Sequence, residues 1–93
     1  MAIQSFAHRD TEALFKGKRI RRFGSFEAVA MRKLAMLHRA ENLHDLLVPP
    51  GNRLEALKGG RLGQYGIRVN DQWRICFTWT EAGPKDVEIV DYN

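Results

Sequence analysis

The sequence predicts an α+β fold in which two N-terminal helices pack on one face of a small twisted antiparallel sheet. Before Pro49 the apolar residues recur at the 3.6-residue spacing of helices, whereas after Pro50 apolar and polar residues alternate, as they do in strands. At 93 residues the chain can bury enough surface for one core. We therefore expect a single domain over residues 1–93, with the helices first and the sheet after them.

The first predicted elements are a short strand and a helix. Residues 3–6 are apolar enough for a strand, and residues 8–16 are typical of a helix. Asp10 or Thr11 is the expected N-cap, because short side chains with an oxygen accept hydrogen bonds from the first free amides of a helix. Gly17 ends the helix, and the basic connection KGKRIRRFG leads to the next one.

The second helix has the clearest periodicity in the chain. Ser25 is its expected N-cap. Its apolar stripe consists of Phe26, Val29, Ala30, Leu34 and Leu37. Arg32, Lys33 and Arg39 fall outside this stripe, so we expect them on other faces of the helix. One more turn is expected within residues 41–47, before a Pro-Pro-Gly segment ends helical structure.

The second half of the chain predicts a meander of three or four strands. The first clear strand has apolar side chains at Tyr65, Ile67 and Val69, and the next has them at Trp73, Ile75, Phe77 and Trp79. A three-residue loop over residues 70–72 would place Val69 opposite Trp73 and keep both apolar sets on one face. A turn at residues 81–84 and a strand over residues 87–92 follow.

This alternation predicts different roles for the two faces of the sheet. The apolar set of the Trp73 strand should pack against the helices, because successive side chains of a strand point to opposite faces. Arg68, Arg74 and Cys76 would then line the other face.

The charge of the chain favours a polyanionic partner such as nucleic acid. Lys and Arg number 15 against 11 Asp and Glu, which gives a net charge of +4 and an isoelectric point near 9.6. The single cysteine, Cys76, fits a reducing cytoplasm. Residues 1–15 lack the pattern of an export signal, and no apolar run is long enough for a membrane span. We therefore expect a cytoplasmic protein with no membrane partner.

The sequence contains no motif for metal or cofactor chemistry. The three histidines and Cys76 do not have the spacing of metal ligands. The chain has neither a glycine-rich phosphate loop after a strand nor a Gly-x-Ser-x-Gly nucleophile motif. We expect neither a metal nor a cofactor, which leaves chemistry to arginine, lysine, tyrosine and carboxylate groups.

These groups suffice for RNA cleavage without a metal. The reaction needs a base for the ribose 2′-OH, cations for the phosphorane and an acid for the leaving 5′-oxygen. The chain offers Glu55, Lys58 and Arg61 before the hairpin, Arg68 and Arg74 on its polar face, and Asp91, Tyr92 and Asn93 at the C-terminus. The alternative that the residues leave open is a set of ordinary solvated charges on an exposed sheet face.

Four segments carry a family resemblance: SFAHRDTEALF, PPGNRLEALKG, YGIRVNDQWRICF and the terminal VEIVDYN. In this order and spacing they resemble the HigB-type toxins, the plasmid maintenance system killer group of the RelE superfamily. The resemblance implies a RelE-like microbial ribonuclease fold and a ribosome-dependent endonuclease that cuts translated mRNA by 2′-OH attack without a metal. It also implies four partners: a HigA-type helix-turn-helix antitoxin, the 70S ribosome, mRNA, and operator DNA reached through the antitoxin complex.

The resemblance also assigns roles to residues. Arg74 matches the family arginine placed against the scissile phosphate, and Lys58 matches a basic residue that assists it. Asp91 and Tyr92 match the Asp-Tyr of the C-terminal motif. The expected phosphate contacts are Arg53, Arg61 and Arg68.

Two positions depart from the family pattern. Several relatives end in Asp-Tyr-His, whereas this chain ends in Asn93, and some carry histidine where Glu55 stands. Asparagine exchanges no proton near neutral pH, and losing both imidazoles removes the most readily available acid and base. Catalysis would then depend on Glu55, Lys58, Asp91 or Tyr92, or on ribosomal groups, and we expect a slower toxin. The alternatives are a former toxin that only binds its partners and an interaction subunit with no role on RNA.

Overall fold

Two α-helices and a four-stranded antiparallel sheet form the fold, as a computed structural model describes it for residues 2–92. The helices are α1 (Arg9–Phe15) and α2 (Glu27–Arg39), and the strands are β1 (Glu55–Ala56), β2 (Tyr65–Arg68), β3 (Trp73–Thr80) and β4 (Gly83–Asp91). Short 3-10 turns cover Arg21–Phe26, Leu43–Leu47, Pro50–Asn52 and Gly59–Arg61. The strands lie in the order β1-β2-β3-β4, which confirms the predicted α+β class.

The core lies between α2 and one face of the sheet. The predicted stripe of α2 is confirmed, since Ala30, Leu34 and Leu37 are fully buried. They pack with sheet residues that include Ile67, Ile75, Phe77, Val87 and Ile89. Burying a side chain of this size contributes about 1.5–3 kcal/mol, so this layer fixes which sheet face is covered by helices and which is left for other groups.

The hairpin between β2 and β3 has the predicted register. Arg68 pairs with Arg74 and Ile67 with Ile75, and the amide of Val69 donates to the carbonyl of Trp73 at 3.0 Å. The three-residue loop is therefore confirmed. The side-chain oxygen of Asn70 accepts from the amides of residues 72 and 73 and shapes that loop.

Both predicted N-caps are wrong. His8 caps α1, because its Nδ1 accepts from the amide of Asp10 at 3.0 Å. Thr11 is buried instead, and its hydroxyl accepts from the amide of Ile89 at 3.0 Å. Ser25 does not cap α2, because the 3-10 turn Arg21–Phe26 runs directly into that helix. The turn keeps Phe23 and Phe26 in the core, so the aromatic packing decides where α2 begins.

Lys33 corrects another expectation, since it is buried rather than solvent-facing. Its ammonium donates to Oδ1 of the fully buried Asn52. Asn52 in turn donates to the carbonyls of Leu46 at 3.1 Å and Val48 at 3.4 Å. Burial and the neighbouring charges of Arg32 and Arg68 lower the pKa of Lys33. These hydrogen bonds connect α2 to the segment that leads into β1.

The predicted strand at residues 3–6 is not formed as such. The segment is extended and runs parallel to β4, but only Phe6 forms a bridge, to Val87. The reason is a bulge in β4, where the pairing with β3 shifts between Cys76 and Thr78 and Asp86 has a left-handed φ of 52°. The hydroxyl of Ser5 bonds the free amide of Asp86 at 2.9 Å and interrupts the ladder.

The strand β4 starts at Gly83 rather than at residue 87 and ends at Asp91 rather than at residue 92. The same bulge lies within it. It absorbs one extra residue, so Pro84 and Lys85 still pair with Trp79 and Thr78. None of the helices described between residues 2 and 92 is long and apolar enough to cross a membrane.

Candidate active site on the open face of the sheet

The sheet face away from the helices gathers charged residues in two neighbouring rows. One row pairs Arg68 with Arg74 across β2 and β3. The next row consists of Glu55, Gly66, Cys76 and Glu88. We call the face that holds these two rows the open face. Because cross-strand partners stand about 4.5–5.5 Å apart, the pairing of the four strands brings these groups together.

Arg74 is the most enclosed charge of the open face, with only 19 % of its side chain exposed. Its Nη1 lies 3.0 Å from Oε1 of Glu55, whose side chain is 45 % exposed. The two groups form an ion pair, but the N–H bonds of Nη1 are not aligned with the carboxylate, and this buried atom has no hydrogen-bond partner among the described residues. Arg74 is therefore held in place electrostatically while part of its donor capacity stays unused.

Tyr92 covers Arg74 from the other side. The guanidinium carbon of Arg74 lies 4.9 Å from the centre of the Tyr92 ring, a cation–π contact. The amide of Tyr92 donates to the carbonyl of Gln72 at 2.7 Å, which fixes the chain end beside β3. The ring and the Glu55 carboxylate together set the direction of the guanidinium.

The other two arginines of this face already have partners. Arg61 donates to the amide oxygen of Gln64 at 3.0 Å and lies 3.6 Å from a carboxylate oxygen of Glu88. Arg68 pairs with Asp71, whose side chain is 98 % exposed. An ion pair with so exposed a carboxylate is weak, so Arg68 can exchange it for another anion.

Leu57 closes part of the open face. It is buried, and a Cβ placed on Gly66 would stand 3.3 Å from its Cδ2. Glycine at 66 therefore leaves the space that Leu57 fills next to Cys76. Cys76 lies on the predicted face but is fully buried rather than lining it. Burial raises the pKa of the thiol, which favours its protonated form.

The structure does not bring every candidate to Arg74. Lys58 and Arg53 are exposed, on the segments that flank β1. Asp91 pairs with Trp73, on the row that faces the helices, and accepts from the side chain of Gln72 at 2.9 Å. Its backbone position is therefore adjacent to Tyr92 while its carboxylate belongs to the opposite face. Asn93 lies outside the described residues.

Glu88 is a member of the face that the sequence analysis missed. The alternation of β4 was the available signal, since Val87 and Ile89 are buried and Glu88 falls between them. Without the strand register, nothing in the sequence indicated that this carboxylate would meet Arg61.

No imidazole stands on the open face among residues 2–92. His8 caps α1, His38 accepts from the amide of Ile3 at 3.2 Å, and His44 lies in the 3-10 turn Leu43–Leu47. Within the same part of the chain, no three His, Cys, Asp or Glu side chains are grouped so that they could hold a metal ion.

The helices on one face and the arginine-rich open face on the other define a small α+β protein of the RelE-like class. The chain belongs to the HigB-like toxin family, described as the RelE-like toxins of the type II toxin–antitoxin system HigB, whose model matches residues 4–93. The predicted resemblance is therefore confirmed at the level of the family.

The chain is also similar to two curated proteins, one of which is named as a HigB toxin. The chain is 46 % identical over 58 residues to the protein named Toxin HigB-1 of Vibrio cholerae, an alignment that spans 62 % of this chain and 61 % of that protein. It is 43 % identical over 51 residues to an uncharacterized protein of Haemophilus influenzae, across 55 % of this chain and 50 % of the relative. The matches thus cover between half and two thirds of these relatives.

Proposed function

We propose that the chain is the toxin of a type II toxin–antitoxin pair and acts as a ribosome-dependent mRNA endonuclease in the cytoplasm. Membership of the HigB-like family supports the toxin role. The observation that carries the nuclease role is Arg74, a largely enclosed guanidinium with a buried Nη1 that donates no hydrogen bond. A phosphate oxygen of mRNA would accept that unused bond, and arginine suits phosphate because its donors form a planar fork.

The remaining groups of the open face receive roles in the same reaction. Glu55, 3.0 Å from Arg74, serves as the general base for the 2′-OH, and a ribosomal group or water protonates the leaving 5′-oxygen. Tyr92 orients Arg74 and offers a ring on which a base can stack. Arg61 and Arg68 contact neighbouring phosphates, while the exposed Lys58 and Arg53 reach the RNA from the flanking segments.

Asp91 and Asn93 have different roles in this proposal. Asp91 supports the position of Tyr92 from the opposite sheet face, through its contact with Gln72. Asn93 contributes a hydrogen bond and no proton. The partners are a HigA-type antitoxin, the ribosome with its mRNA, and operator DNA through the antitoxin.

The test is to map mRNA 5′ ends after induced expression of wild type, Arg74→Ala and Lys85→Ala. Lys85 is an exposed cation at the far end of β4, so its variant controls for a lost charge. We expect new 5′ ends inside reading frames for wild type and Lys85→Ala, and about 10²–10³-fold less cutting for Arg74→Ala, the cost of one lost transition-state donor. Undiminished cutting by Arg74→Ala would contradict the nuclease proposal.

A second candidate function follows from the missing imidazoles. A weakened toxin that binds antitoxin and ribosome without cutting would keep the arginines and lack an efficient acid and base. It would co-sediment with ribosomes and leave mRNA intact, whereas cleavage products in a translating extract would exclude it. In that case, Asn93→His should restore measurable cutting.

A further inference from the structure

The connection between α1 and α2 concentrates positive charge that the proposed active site does not use. Residues 16–22 carry five basic side chains and no acidic one. They are Lys16, Lys18, Arg19, Arg21 and Arg22, and all five are exposed.

Two of these five charges are neutralised by α1. Lys16 lies 3.1 Å from a carboxylate oxygen of Glu12, and Arg22 lies 3.2 Å from one of Asp10. Lys18, Arg19 and Arg21 form no ion pair with any residue in the described part of the chain. We call these three residues the basic cluster. Three like charges held together at the surface repel each other, so an anion that binds there relieves that repulsion.

The end of this segment is fixed at the end of the sheet where β3 begins, on the side of the helices. The guanidinium of Arg22 lies 4.5 Å from the centre of the Phe23 ring and 5.8 Å from that of Trp73. The Phe23 and Trp73 rings meet edge to face at 5.8 Å, and Phe23 is fully buried. Trp73 directly precedes Arg74 in β3. The aromatic contacts therefore hold Arg22, which follows the basic cluster in sequence, at the end of the sheet where β3 begins with Trp73 and Arg74.

We propose that Lys18, Arg19 and Arg21 form a second phosphate-binding surface, which grips RNA backbone beside the strand that Arg74 contacts. The inference rests on the proposed function for the RNA at Arg74. Lysine and arginine on an exposed loop bind phosphate through charge rather than base identity. The surface therefore supplies affinity for the ribosomal complex, and the chemistry stays with the open face.

The test compares ribosome binding by wild type and the triple variant Lys18→Gln/Arg19→Gln/Arg21→Gln over a range of salt concentrations. The matched control is Arg32→Gln/Arg39→Gln/Lys85→Gln, which removes three exposed charges from elsewhere. Three lost phosphate contacts should weaken binding about a hundredfold at ~0.1 M salt and reduce the slope of log K against log salt by about 2. The control should bind within about threefold of wild type and keep its slope.

Vacant and mRNA-programmed ribosomes distinguish the two sources of phosphate. An equal loss on both assigns the surface to ribosomal RNA, and a loss confined to programmed ribosomes assigns it to mRNA. Unchanged affinity and slope on both would overturn the inference, as would an equal loss in the control. Unchanged ribosome binding together with weaker antitoxin binding would overturn it in favour of an acidic protein ligand.

The cleavage rate separates this inference from the proposed function. With ribosomes in excess, the triple variant should cut mRNA at the wild-type rate, whereas Arg74→Ala should stay slow. If wild type neither binds nor cuts on ribosomes, the proposed function fails. In that case, the salt-dependent binding of wild type and the triple variant is measured on a free single-stranded RNA. A smaller slope of log K against log salt for the triple variant would support the inference, and an unchanged slope would overturn it.

Discussion

The Nη1 atom of Arg74 lies 3.0 Å from Oε1 of Glu55 and forms no hydrogen bond with it. This combination is unusual, because buried donors are nearly always satisfied. The carboxylate holds the guanidinium by charge, while the buried Nη1 keeps a donor that no described residue uses. The pair therefore links the register of β1 and β2, which brings Glu55 into place, to the anion-binding capacity of the sheet.

Replacing Glu55 tests whether this carboxylate does more than hold Arg74. We expect Glu55→Gln to lower the rate of mRNA cleavage by about 10²–10⁴-fold, the usual contribution of a general base. The measurement is single-turnover cleavage on programmed ribosomes. Glu88→Gln is the matched control, because Glu88 lies in the same cross-strand row and pairs with Arg61. Equal rates for the two variants would show that Glu55 is not the base.

Two substitutions of Tyr92 distinguish a role in orienting Arg74 from a role in proton transfer. The ring lies 4.9 Å from the Arg74 guanidinium, and phenylalanine keeps that contact while removing the hydroxyl. We expect Tyr92→Ala to cut more slowly than Tyr92→Phe, by about 3–30-fold, since a partly desolvated cation–π contact contributes about 0.5–2 kcal/mol. Cleavage by Tyr92→Phe as slow as by Tyr92→Ala would assign the catalytic contribution to the hydroxyl instead.

Replacing Leu57 with alanine should lower the stability of the fold, whereas replacing Leu62 with alanine should leave it nearly unchanged. Leu57 is 2 % exposed, so Leu57→Ala should lower the free energy of unfolding by about 2–5 kcal/mol through the cavity it leaves. Leu62 is 81 % exposed, and Leu62→Ala should change it by less than ~0.5 kcal/mol. Urea unfolding measures both.

Thiol labelling adds a second readout to the same pair of variants. Leu57 packs over Gly66, the cross-strand partner of the buried Cys76, so its loss should also speed the reaction of that thiol with a disulfide reagent in the folded protein. Labelling of Leu57→Ala at the same rate as Leu62→Ala would contradict the covering role of Leu57.

The buried thiol of Cys76 should make the stability of the fold depend on pH. Burial raises the pKa of the folded thiol above its ordinary value of 9.0. The native state therefore keeps a proton that the unfolded chain loses first, so the stabilisation is complete below about pH 9 and is lost as the pH rises toward the folded pKa. Between ~pH 8 and ~pH 10, the free energy of unfolding should fall more steeply for wild type than for Cys76→Ala. Parallel curves for the two proteins would contradict this.

The sequence supplied candidate residues, but it did not predict which of them would lie in contact. Arg74, Glu55 and Tyr92 were all candidates, because chemistry without metal or cofactor leaves only such groups. Their convergence depends on the pairing of Glu55 with Gly66 in β1, a two-residue strand that has no alternation to detect. Asp91 was grouped with Tyr92 by proximity in sequence, but the pleat of β4 turns the two side chains to opposite faces.

The sequence by itself determined the α+β class, the apolar stripe of α2 and the register of the β2–β3 hairpin. These depend on periodicity and on one buried face, which local spacing encodes. Only the tertiary structure decided that Thr11 accepts from the amide of Ile89 rather than capping α1, and that Lys33 is buried against Asn52. In both cases a group far away in sequence supplies the partner, so nearby residues carry no trace of the contact.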